Sequence, residues 1–131
     1  MFDSLRASES VLAERRQIAA DACEVLKYAG IPADLMTDPL GPAGAGVEVD
    51  EANDEAGGVI VNWRASPDLL REVAERTKNG QVDAWEIKIA VSISRHIRDA
   101  MVQILEEFGF SAVPLDDDSY HMPAIQILRG R

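Results

Sequence analysis

The sequence predicts an α+β protein: an antiparallel sheet of about four strands, made of two hairpins, packed on a long central helix, an N-terminal helix and a short helix. Two observations predict it. A run without proline or internal glycine covers 83–109, and two pairs of short segments have strand-like character. The 131 residues, 47% of them hydrophobic, suit a single domain over 1–131.

The N-terminal helix is predicted over residues 3–29. Its apolar positions recur at spacings of three, four and seven, and they are Leu5, Leu12, Ile18, Ala22, Val25, Leu26 and Ala29. Gly30 supplies a left-handed stop and Pro32 prevents continuation. Cys23 lies within this helix, and no His or Asn motif accompanies it. We therefore expect a small, semi-buried apolar residue rather than a nucleophile.

A loop and a hairpin follow. Residues 33–46 contain two prolines and three glycines, which predicts a loop. Two short strands are predicted at 47–50 and 58–64, where apolar residues in the second segment alternate with the period of a half-buried strand. The connection between them is acidic and turn-rich, so the pair should form an antiparallel hairpin with an acidic tip.

The short helix has clear signals at both ends. Ser66 can cap it, Pro67 suits the first helical position, and Asp68 favours the positive end of the helix dipole. The pair Asn79-Gly80 ends it.

The run over 83–109 is predicted as one long helix. Asp83 and Glu86 have the spacing of a capping box, and Gly109 supplies the stop. The alternative is a strand over 85–93, where β-branched residues alternate with polar ones. Because the first half of the helix is apolar on both sides, we expect it to be sandwiched between other elements or to form a homodimer interface through helix 83–109.

A second hairpin is predicted from strands 112–115 and 123–129, joined by an acidic loop. The segments 25–31 and 104–110 resemble each other, since each closes a helix with glycine and an apolar residue. This similarity suggests two helix–hairpin units, although such helix endings are common. In that arrangement the acidic loops at 50–55 and 116–118 would lie at the same end of the sheet.

Charge and composition exclude several classes of function. The net charge is −10, from 23 acidic and 13 basic residues, which opposes binding to nucleic acid and to anionic membranes. It is compatible with a basic protein partner, or simply with a role in solubility. One cysteine rules out an intramolecular disulfide. With no apolar run long enough for a bilayer and no secretory signal, we expect a cytoplasmic protein.

The acidic loops are the predicted partner-binding residues, namely Asp50, Glu51, Asp54, Glu55, Asp116, Asp117 and Asp118. The first group fails the spacing of a calcium loop, and the second, with His121, matches no metal-ligand template, so we expect no metal and no cofactor. His96 with Asp99 could act as a general base. No nucleophile motif or phosphate loop supports catalysis, so an enzyme or ligand-binding protein using His96 or His121 is the alternative.

The stretch GVEVDEANDEAGGVIVNWRASPDLL, the segment AMVQILEEFGF and the closing strand resemble short acidic proteins of actinobacteria. The resemblance covers about residues 46–129 and implies no activity. The favoured prediction is a non-catalytic interaction module, antitoxin-like, immunity-like or regulatory, that recognises a basic protein surface.

Overall fold

A computed structural model describes residues 7–35, 41–51, 58–115 and 123–131. Three helices and five strands follow one another along the chain: α1 (Glu9–Tyr28), β1 (Ala33–Leu35), β2 (Gly44–Asp50), β3 (Gly58–Arg64), α2 (Pro67–Lys78), α3 (Trp85–Glu107), β4 (Ser111–Leu115) and β5 (Ala124–Arg129). The predicted α+β class is therefore confirmed.

The strands form one mixed sheet in the order β1-β2-β3-β5-β4. Both predicted hairpins, β2–β3 and β4–β5, are present, and they join through an antiparallel β3–β5 pair. The prediction of four antiparallel strands was incomplete, because β1 lies within the predicted loop and runs parallel to β2. The backbone carbonyl of Pro32 accepts a hydrogen bond from Ala45 at 2.8 Å, which ties the segment before β1 to the start of β2.

Helices α1 and α3 pack on one face of the sheet and on each other. Successive strand residues point to opposite faces, so the core receives alternate residues of β2, β3 and β5. Buried members of this core include Leu26, Val61, Met101, Leu105 and Ile125. The long helix predicted at the centre is thus a core element over its C-terminal half.

Helices α1 and α3 end in the same way. At the end of α1, Gly30 has a positive φ and the Ile31 N–H donates to the carbonyl of Leu26 at 2.9 Å. At the end of α3, Gly109 has a positive φ and the Phe110 N–H donates to the carbonyl of Leu105 at 3.0 Å. Both stops were predicted, and both bonds satisfy a carbonyl of the last helical turn.

The start of α3 differs from the prediction. The helix is continuous from Trp85 to Glu107, so the strand alternative over 85–93 is wrong. The capping box is wrong as well, because the N-cap residue is Ala84, which makes no side-chain cap hydrogen bond. Its N–H donates instead to the carbonyl of Gln81 at 3.0 Å. This turn places Asp83 before the cap, where its carboxylate no longer occupies the capping position.

The short helix α2 was expected to pack against the sheet, but its main contacts are with the first half of α3. Its predicted ends are confirmed, since the Ser66 hydroxyl accepts a hydrogen bond from Leu69 and Asn79 is the C-cap. No residue of α2 is buried. Across the part of the chain that the structure describes, no helix is long and apolar enough to cross a membrane.

Candidate functional site

The predicted acidic site falls partly on described residues. Asp50 is the last residue of β2 and is half-buried, and Glu51 follows it on the surface. Their backbone carbonyls anchor α1, since Asp50 accepts a hydrogen bond from the Arg15 guanidinium at 2.6 Å and Glu51 accepts one from the Ala7 N–H at 2.9 Å. The other predicted residues, Asp54, Glu55, Asp116, Asp117 and Asp118, lie outside the described residues, as does His121.

The two acidic loops leave the sheet from opposite ends, which corrects the expectation that they share one end. The first loop connects Asp50 to Gly58, and the second connects Leu115 to β5. The N-terminal residue of β5, Ala124, pairs with Asn62 near the far end of β3. Strands β3 and β5 are each the second strand of their hairpin, so each hairpin tip lies at the N-terminal end of one of them. Because β3 and β5 are antiparallel, these two ends lie at opposite ends of the sheet.

The end of β2 carries local negative charge. The pKa of the Glu48 carboxyl is raised by partial burial and, secondarily, by the nearby negative charge of Asp50. Val47 and Val49, which alternate with Glu48 and Asp50 along β2, point into the core. Because successive strand residues point to opposite faces, the Glu48 and Asp50 side chains lie on the sheet face away from α1 and α3. A positively charged group placed here would relieve both the repulsion and the burial cost.

This arrangement predicts that Glu48→Gln stabilises the protein at neutral pH. When folding raises the pKa of a carboxyl, ionising that carboxyl costs more in the folded state than in the unfolded state. The free energy of unfolding therefore falls as the pH rises past the ordinary glutamate pKa of about 4.3. The gain should therefore be present at pH 7 and absent at pH 3.5. Urea unfolding of both proteins at the two pH values measures it. An equal gain at both values would assign the effect to packing instead of charge.

A half-buried ion pair lies on the same face of the sheet. Arg64, 7% exposed, contacts the carboxylate of Asp34 at 2.6 Å and donates through Nε to the carbonyl of Pro42 at 2.8 Å. It therefore links β3, β1 and the segment before β2. No local pattern identifies the pair, because its partners lie 30 residues apart.

An apolar surface lies on the helical hairpin formed by α2, the turn after it and the first half of α3. We call residues 66–98 the α2–α3 hairpin. Val82 is 67% exposed, Trp85 is 69% exposed and Ile93 is 37% exposed. Arg76 braces the hairpin through a 3.5 Å contact with Glu86. This half of α3 was expected to be covered, and in the part of the chain that the structure describes α2 packs beside it.

Of the residues named as catalytic candidates, the structure describes Cys23 and His96. Cys23 is buried, and burial raises the pKa of its thiol, which disfavours the reactive thiolate. His96 is exposed on α3, and the carboxylate of Asp99 is engaged by Arg98 at 3.0 Å. Over the described ranges, no group of three or more His, Cys, Asp or Glu residues could hold a metal ion.

Two grooves on the described surface are large enough for a small ligand. One, of about 260 Å³, lies between α1 and the ends of β3 and β5, and includes Arg15 and Gln126. The other, of about 270 Å³, lies where α1 and α3 end, beside the edge-to-face pair Tyr28–Phe108. His96 lines neither groove.

Charge divides the molecule into two parts. The α2–α3 hairpin has five acidic and six basic residues, whereas the remainder has 18 acidic and seven basic residues. By sequence, the chain thus combines a nearly neutral hairpin, which exposes large apolar side chains, with an acidic remainder over 1–65 and 99–131, here called the acidic body. Exposed apolar side chains and an uneven charge distribution are both typical of binding surfaces. The chain matches no family model, no curated protein and no solved structure.

Proposed function

We propose that this protein is a non-catalytic interaction module, antitoxin-like, immunity-like or regulatory, that works in the cytoplasm and recognises a basic protein partner. The observation that carries the proposal is the separation of charge, with an acidic body and a nearly neutral hairpin. A field of one sign steers an oppositely charged partner and accelerates its association.

The local electrostatics at the end of β2 support the same proposal. The pKa of the Glu48 carboxyl is raised first by burial and second by the negative charge of Asp50, and a cationic side chain of a partner placed beside it would favour its ionised form. In this proposal Asp50 and Glu51 contact the partner together with Asp54 and Glu55 of the same connection. Asp116, Asp117 and Asp118 provide a second acidic contact region.

The edges of the sheet favour recognition through side chains over addition of a partner strand. In the described sheet, β1 and β4 are the edge strands. Strand β1 has three residues, and β4 contains Pro114, which has no N–H to donate. Short edge strands and edge prolines both discourage strand pairing between molecules.

The proposal predicts a specific kinetic effect. Replacing Asp116, Asp117 and Asp118 together with Asn should slow association with the basic partner about tenfold or more at low salt and flatten its salt dependence, because electrostatic steering is screened by ions. The partner is first isolated from the native host by pull-down with mass spectrometry, and association is then measured by stopped flow. A triple variant of Asp68, Glu72 and Glu75 on α2, also changed to amides, is the charge-matched control. Unchanged association rates in the first variant would contradict the electrostatic proposal.

The alternative is a small-ligand-binding protein or a small enzyme that uses His96 or His121. The groove bordered by Glu24, Val25, Tyr28, Phe108 and Arg131 is the observation that favours a ligand-binding protein, and it does so without a contribution from His96. Binding of a small molecule that is abolished by Tyr28→Ala would favour this alternative.

A further inference from the structure

We infer that the α2–α3 hairpin is a self-association surface, on which α3 of a second copy of this chain packs antiparallel. The inference rests on the proposed interaction function and names one partner and one surface for it. The C-terminal half of α3 is buried in the core, as Met101 and Leu105 show, so the N-terminal half is the part of the predicted dimer helix that remains available.

The first observation is an apolar stripe along one side of α3. Trp85, Ile89 and Ile93 are separated by four residues each, so they lie one above the other on the same side of the helix. Trp85 is 69% exposed and Ile93 is 37% exposed, while Ile89 between them is half-buried. Val82, 67% exposed, extends this apolar surface into the turn before α3.

The stripe is compatible with a two-fold axis. When two copies of α3 pack antiparallel with the axis at Ile89, Trp85 of one copy lies against the partner's Ile93, and the reverse contact forms at the same time. An aromatic residue at one end and a smaller aliphatic residue at the other make the stripe complementary to itself, which a symmetric dimer requires. Tryptophan is also among the residues enriched at the energetic centres of interfaces.

The second observation is the charge of this surface. Two copies of a protein with net charge −10 repel each other wherever their acidic surfaces meet. The hairpin, with five acidic and six basic residues, is the part of the chain where two copies can approach without that repulsion. A strongly basic partner, by contrast, gains nothing from a surface with almost no net charge. Charge therefore favours a second copy as the occupant of the hairpin and leaves the acidic body for the basic partner.

The available area fits a weak dimer. The exposed parts of Val82, Trp85 and Ile93 amount to about 300 Å² of apolar surface, given that a large aromatic side chain offers roughly 150–250 Å². A standard interface buries about 800 Å² per partner, and roughly 60% of that area is apolar. The stripe supplies more than half of that apolar area, so we expect a dissociation constant in the micromolar range.

Sedimentation equilibrium of the full chain over micromolar concentrations tests the inference. The mass should rise from 14.3 kDa to twice that value as concentration increases. Trp85→Glu and Ile93→Glu should each raise the dissociation constant at least 50-fold. Val11→Glu is the matched control, because Val11 is an apolar residue of α1 that is also 37% exposed, and it should leave association unchanged. Circular dichroism establishes that each variant is folded.

The dependence on salt separates this inference from the proposed function. Self-association should strengthen as salt screens the repulsion between two acidic bodies, whereas binding to a basic partner should weaken. A monomer at every concentration and salt, or equal effects of Val11→Glu and Ile93→Glu, would overturn the dimer inference. In either case, salt-sensitive binding of the basic partner by the Trp85→Glu variant would leave the proposed function intact.

Discussion

Replacing Gly44 with alanine should destabilise the protein by at least about 3 kcal/mol. Gly44 begins β2 with φ +138°, a backbone conformation that other residues rarely adopt. A Cβ at this position would lie 2.7 Å from the backbone oxygen of Pro32. That oxygen already accepts the hydrogen bond from Ala45, so it cannot move away without breaking the link between the pre-β1 segment and β2. Urea unfolding followed by circular dichroism at a fixed protein concentration measures the loss.

Gly80→Ala is the matched control for this substitution. Gly80 also has a positive φ, +73°, but no atom lies within 4 Å of the position its Cβ would take. It should lose only the conformational cost, about 1 kcal/mol. If the two variants lost the same stability, the close approach of Pro32 to Gly44 would have no energetic role.

Replacing Leu105 with alanine should cost about 3 kcal/mol, within the range of 2–5 kcal/mol for large-to-small substitutions in packed cores. Leu105 is fully buried in α3 and belongs to the core cluster shared by α1, α3 and the sheet. Removing its side chain loses transfer free energy and leaves a cavity that a helix held at several contacts cannot close. The same urea titration measures the effect.

Leu128→Ala changes the same atoms at a site that is 52% exposed on β5. It should alter the free energy of unfolding by less than about 0.5–1 kcal/mol, since surface substitutions of this kind have small effects. Comparable losses for Leu105→Ala and Leu128→Ala would mean that α3 does not form part of the core.

Local signals predicted most of the elements correctly. Gly30 and Gly109 ended their helices as expected, because a left-handed stop depends only on neighbouring residues. The alternation of apolar residues in β3 likewise identified a strand, although burial is not confined to one face, because Ile60 and Arg64 are buried as well as Val59 and Val61. The short strand β1 was missed, because three residues in a proline- and glycine-rich segment carry no periodic pattern, and it exists through pairing with β2.

The candidate site was harder to predict than the elements. The sequence identifies the acidic residues, yet their arrangement depends on the direction in which β3 and β5 pair, which no local pattern specifies. The short helix was predicted to pack on the sheet, but Leu69 and Val73 of α2 are only half-buried because α2 contacts mainly α3. An amphipathic pattern reports a face that needs a partner, and it does not say whether the same chain supplies that partner.

The antiparallel β3–β5 pair also has a consequence for how the chain folds. It joins Val59 to Ile127, so almost half of the sequence separates the two central strands. Contacts between distant residues form slowly, because the intervening loop must close before they contribute. The α2–α3 hairpin, whose contacts are local, should form first. Before β5 pairs with it, β3 has an unpaired edge with the sequence GVIVNWR. Because an unpaired apolar strand can pair with another chain, we expect the risk of aggregation to be highest at this stage of folding.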